Sequence, residues 1–169
     1  MAPRASRTDS AGAAALLEEA FRGPAWHGPS LKTVLRGVTP AEALWRPAPG
    51  RNTIWELVLH AAYTKHVVLG RLVGRTDRFA RALPRAWWPA TPAPADDAAW
   101  RRDRALLDTS HRALVDAVRG ASPAALARGA KRPLIEQLAG AALHDTYHGG
   151  QIGLLRKLYR ARTGALVPL

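Results

Sequence analysis

Apolar residues recur every three to four positions along four stretches of this chain, with polar residues between them. That period belongs to amphipathic helices rather than strands. Ala13, Leu16, Leu17, Ala20 and Phe21 share one side of a helix expected from about Ser10 to Arg22, which Gly23-Pro24 interrupts. Pro29-Ser30 opens a short continuation, Leu31 to Arg36, ended by Gly37. Thr39-Pro40-Ala41-Glu42 reads as a capping box with proline at the first helical position, starting only a turn or two. A second capping box, Thr53-Ile54-Trp55-Glu56, launches a long helix to about Val73, with Leu57, His60, Thr64, Val67 and Val68 on its inward stripe. The segment from Ala80 to Pro94 carries Pro84, Pro89, Pro92 and Pro94, and is expected to be a long crossover. Asp96-Asp97 caps a helix from about Ala98 to Arg119, with an expected inward stripe of Leu106, Leu107, Ser110, Ala113, Leu114, Ala117 and Val118. Gly120 to Arg132 is a loop in which Ser122-Pro123 leaves room for one turn, and Pro133 starts a last helix to about Arg160.

Four main helices with short pieces between them predict an all-α four-helix bundle, with a long crossover between the second and third helices. Residues 1–12 are expected to be a flexible tail and residues 13–169 a single domain. The composition agrees: 47% of residues are hydrophobic, only 7% are aromatic, and the helix formers Ala and Leu dominate. No apolar run approaches the roughly 18 residues of a membrane span. The first dozen residues lack a secretory signal's apolar centre, so the cytoplasm is the expected location. Cysteine is absent, which excludes disulfides, thiolate ligands and a Cys nucleophile. The balance of 25 basic and 13 acidic residues, +12, raises a polyanionic partner. The arginines are dispersed over several helix ends, however, and there is no recognition helix or stacking platform. Nucleic-acid binding therefore ranks as a minor alternative. A Gly-rich phosphate loop, a GxSxG elbow and an HExxH motif are also missing.

Candidate chemistry concentrates in the last helix. Written as a heptad, Leu134, Gln137, Ala141, His144, His148, Gln151, Leu155 and Leu158 fall in one register, the expected buried seam. Two imidazoles one turn apart, flanked by glutamines, thus stand where leucines belong, and burying them is unfavourable unless something satisfies them. His60 holds a seam position on the second long helix. Two readings stand at this point: neutral core histidines bonded to carbonyls or water, or three nitrogen ligands from two helices converging on a metal. Among the other histidines, His66 is expected at the surface or an interface and His111 on the polar, solvent-exposed side of its helix. His27 is open between pocket lining and packing. Trp55 is expected in the core. Trp87, Trp88 and Trp100 suit a pocket or a dimer contact, with core filling the preferred reading.

The layout resembles the DinB-like family of bacterial four-helix bundles across about residues 13 to 160. The resemblance runs through Trp26-His27-Gly28-Pro29-Ser30-Leu31, Arg46-Pro47-Ala48-Pro49-Gly50, Ile54 to His60, and His144-Asp145-Thr146-Tyr147-His148-Gly149-Gly150-Gln151-Ile152. It implies a metal triad of His60, His144 and His148, with zinc or nickel as the first choices and iron as an alternative. It also implies a homodimer and, for some members, S-transfer from low-molecular-weight thiols such as bacillithiol or mycothiol. The expected activity is a metal-dependent S-transferase or hydrolase that activates water or a thiol on a small-molecule substrate. A non-catalytic metal-binding stress-response bundle is the alternative. Gln151 is a candidate to hydrogen-bond the metal's ligand, and Tyr147, Glu56 or Asp145 to fix an imidazole tautomer.

Overall fold

The computed structural model describes residues 9–74, 87–88, 90–91 and 96–164. Four long helices, α1 (Ser10–Arg22), α4 (Ile54–Val73), α5 (Asp97–Arg119) and α7 (Leu134–Thr163), alternate with the short α2 (Leu31–Val34), α3 (Pro40–Leu44) and α6 (Pro123–Ala127). Local sequence sets their ends. The Asp9 carboxylate accepts from the Gly12 amide at 2.7 Å, so α1 begins inside the segment assigned to the tail; residues 1–8 lie outside the described residues. Thr53 and Glu56 bond reciprocally at the start of α4, a complete capping box. In α3, Thr39 caps the Glu42 amide, while the Glu42 carboxylate reaches Arg156 of α7 at 3.0 Å.

The chain's order in space follows from what packs on what. α1 and α4 each contact both α5 and α7, so they face one another across the bundle. One core layer joins Phe21 of α1, Ile54, Trp55 and Leu57 of α4, Leu107 of α5, and Ile152 and Leu155 of α7. A second joins Ala13 and Leu17, Val68 and Leu72, Leu114 and Val118, and Leu134 and Leu138. The first layer holds the start of α4 and of α5, and the second holds their ends. The two helices therefore run parallel, while α1 and α7 run the opposite way. Parallel neighbours need a return along the bundle, which accounts for the expected crossover. Most of the Ala80–Pro94 segment lies outside the described residues.

Two tryptophans anchor the first layer. Trp55 is fully buried and donates its indole N–H to Asp103 at 2.8 Å, and Trp100 donates to the Val38 carbonyl at 2.9 Å. The expectation that His111 faces solvent is wrong. It is 0% exposed and stacks on Phe21 with ring centroids 3.8 Å apart. The α5 face that packs inward runs Asp103, Leu107, His111, Leu114, Val118, rotated from the alanine-rich stripe that the apolar pattern suggested. Ala113 is exposed instead.

Candidate metal centre

The triad histidines come from the middles of antiparallel helices, α4 and α7. His60 Nε2 and His148 Nε2 each lie 3.0 Å from His144 Nε2, and the three ligand-capable nitrogens all fall within 4.8 Å of one another. The opposite ring edges are committed. His60 Nδ1 faces the Trp87 carbonyl at 2.8 Å, and His148 Nδ1 faces the Gln151 side-chain oxygen at 2.6 Å. Carbonyl oxygens only accept, so both Nδ1 atoms carry the proton and both Nε2 atoms present lone pairs. Burial holds all three rings neutral. It pushes His60 and His148 below the usual histidine value, and His144 down to about 3 with help from the charges that His148, His60 and Lys65 would place beside it.

Proton accounting then leaves the cluster incomplete. His144 Nε2 has at most one hydrogen to share between two lone pairs, so at least one 3.0 Å contact sets nitrogen against nitrogen with nothing between. A cation satisfies all three at once. An ion about 2.0–2.1 Å from each nitrogen holds any two of them roughly 3.3 Å apart in tetrahedral geometry, close to the 3.0 Å at which His60 and His148 each approach His144. His60, His144 and His148 thus fit a metal ion.

Aromatic rings wall the site. Trp88 stacks on His60 at 4.0 Å, Trp87 packs edge-on against Tyr63 at 5.6 Å, and Tyr147 lies 5.1 Å from His148. The preferred core role of Trp87 and Trp88 is corrected here: they are 51% and 40% exposed. Their partners are the half-buried His60 and Tyr63 at the bundle's surface, so neither ring enters the helix layers. A tryptophan pair in a proline-rich connection was the only sequence signal for them.

Gln151 stands behind His148 and passes its amide N–H to the Tyr147 hydroxyl at 3.1 Å, so its contact is with an imidazole edge. Glu56 is occupied by the α4 cap and by Arg46 at 2.6 Å. Asp145 turns from the triad into the core and pairs with Lys65, both essentially fully buried. Burial raises the Asp145 carboxyl against the opposing pull of Lys65. Sequence reasoning missed this pair, although a lysine five residues after His60 in an apolar helix interior was its signal. His27 contacts Thr146 at 3.2 Å, on the side of α7 turned from the triad. His66 is half-buried and lies outside the cluster.

No curated protein and no solved structure matches the chain. The sequence profile of the DinB superfamily matches residues 26–152, a span that contains α4, α7 as far as Ile152, and all three histidines. By that match over most of its length, the chain belongs to the DinB superfamily.

Proposed function

We propose that the chain is a metal-dependent enzyme that holds a divalent cation on His60, His144 and His148 and activates a water or a thiol, in an S-transferase or hydrolase reaction. One observation carries the reading: three neutral imidazoles converge with fewer protons than their contacts need. Bound there, a zinc or nickel ion would lower the pKa of a coordinated water or thiol towards neutrality. The chain's own groups fix the geometry. The Trp87 carbonyl and Gln151 hold two imidazoles in the tautomer whose Nε2 can ligate, as outer partners of metal-bound histidines do. Trp88, Trp87 and Tyr147 give the mouth an apolar lining suited to the organic part of a substrate. With no cysteine in the chain, a reacting thiol must arrive as substrate.

Metal content and turnover test this together. His60→Ala, His144→Ala and His148→Ala should each weaken zinc or nickel binding by about 100-fold or more and abolish conjugation of low-molecular-weight thiols to electrophiles. Metal retained by all three variants as in the parent defeats the proposal. Metal lost without any turnover in the parent leaves the ion as a clamp between α4 and α7.

A further inference from the structure

The groove between α4 and α7 continues past the triad. On α4, Thr64, Val67 and Arg71 follow His60 at helical spacing; on α7, Ala141, Gly140 and Gln137 precede His144 on the same side. Two bridges cross this groove. One is the His60–His144 contact, and the other is Arg71, which donates to the Gln137 side-chain oxygen at 2.7 Å. Seven residues of α7 and eleven of α4 separate the bridges, about 10–16 Å at the helical rise.

At the Arg71 end the groove opens into a cavity of about 570 Å³ lined by Arg71, Arg128, Lys131, Arg132, Leu134 and Gln137, with Gly129 and Ala130 in its wall. Four of its side chains are cationic and none is acidic. Among the described residues, none of the four is paired with a carboxylate. The wall is built rather than frayed. Arg128 donates to the Leu72 carbonyl at 2.8 Å, the Leu134 amide closes the loop onto the Arg128 carbonyl at 2.8 Å, and Gln137 donates to the Arg132 carbonyl at 2.9 Å. Gly129 is required at this turn: its φ is +139°, and a Cβ there would collide with the Arg132 carbonyl.

Four like charges gathered in one concave site, with no carboxylate beside them among the described residues, favour an anion, and guanidinium groups suit oxyanions in particular. We infer that this cleft is an anion-binding subsite that takes the phosphate or carboxylate end of a substrate whose reacting end lies at the histidine triad. The inference rests on the proposed metal-dependent reading for the role of the reacting end, but the anion site itself does not need the metal.

The experiment has two arms. In the first, calorimetry measures pyrophosphate binding to metal-free protein at fixed ionic strength. Wild type should bind one equivalent saturably. Arg71→Gln/Arg132→Gln, and separately the exposed Lys131→Gln, should weaken binding, the double variant by about tenfold or more. Arg112→Gln, on the outer side of α5, should not. In the second, metal-loaded protein is offered straight-chain thiols long enough to span about 10–16 Å, ending in a carboxylate or in the matching amide. The carboxylate form should bind about tenfold tighter, and the double variant should erase that preference. No saturable pyrophosphate binding, equal weakening by Arg112→Gln, or a carboxylate preference that survives the double variant overturns the inference. Failure of the proposed metal function alone leaves the first arm intact, so the two failures are distinguishable.

Discussion

His111 shows how a single residue can set the protein's response to acid. Its ring is sealed between helices, stacked on Phe21, and neither nitrogen finds a hydrogen-bond partner among the described residues. Glu18 approaches to 3.5 Å, but that carboxylate is already held by Arg22 at 2.6 Å and approached by Arg119 at 3.6 Å. Burial therefore dominates, reinforced by the charges of Lys65, Arg22, Arg119 and Lys32, and the imidazole is pushed down to about 2 from an ordinary 6.5. With the folded value below the unfolded one, the unfolded chain binds more protons between them. Stability is thus full above about pH 6.5 and falls as the solution is acidified, by about 2 kcal/mol at pH 5 from this residue alone. His111→Phe keeps the stack and removes both orphaned nitrogens. Its melting temperature should exceed the parent's at pH 7.5, and the gap should widen at pH 5 by the equivalent of about 2 kcal/mol. The triad histidines titrate in both proteins and cancel from the comparison. An equal gap at the two pH values refutes the assignment.

Between α4 and α7 the main polar tie is the Lys65–Asp145 ion pair, buried to within 1% on both sides and reinforced where the Lys65 ammonium approaches the Phe21 ring at 5.2 Å. Removing one partner from a buried pair strands a charge, whereas replacing both with apolar side chains of similar size is often neutral. Asp145→Asn should therefore cost about 3–5 kcal/mol in denaturant unfolding, and Lys65→Met/Asp145→Leu should recover most of it. A double variant as unstable as the single one would show that the pair contributes more than mutual neutralisation. This pair also marks where sequence pattern stops informing. The Thr53–Glu56 capping box, the helix ends and the seam spacing of the α7 histidines were legible because each rests on local spacing. The expected Thr39–Glu42 box is only a Thr39 cap, because Arg156 takes the Glu42 carboxylate. The face of α7 that packs inward was legible only in part: Leu134, Ala141, His148 and Leu155 are buried as expected, the other seam positions are not. A strict heptad drifts against a straight helix over its 30 residues. The buried line runs Leu134, Leu138, Ala141, Asp145, His148, Ile152, Leu155, while Gln137, His144 and Gln151 border the groove and Leu158 is exposed. Of the triad, His148 is buried as the seam required, while His60 and His144 stand half-buried at the core's edge. Likewise His111 was assigned to solvent, since only tertiary packing reveals that α5 buries a stripe containing two polar residues.

For the molecule as a whole, the question is whether the fold depends on an ion or merely accepts one. Small metal-dependent domains collapse without their metal because little else holds them. Here the triad joins only α4 and α7, at a point flanked by two continuous core layers and backed by Lys65–Asp145. α1 and α5 close the other side of the bundle without contributing to the site. The metal-free protein should consequently remain folded, with the ion adding only its binding free energy. At a hundredfold excess over the dissociation constant that is about 2.7 kcal/mol, which for a domain of this size raises the melting temperature by about 5–10 °C. Circular dichroism at pH 7.5 with added zinc or nickel should show that rise and EDTA should reverse it. His144→Ala should melt near the metal-free parent whether or not metal is present. Loss of the helical signal on chelation at 25 °C would make the ion part of the fold itself, and the site would then be a structural clamp rather than an open centre. The parallel run of α4 and α5 argues for the first outcome. It gives the bundle its most extensive helix–helix contact, Trp55 against Trp100 included, on the side away from the histidines.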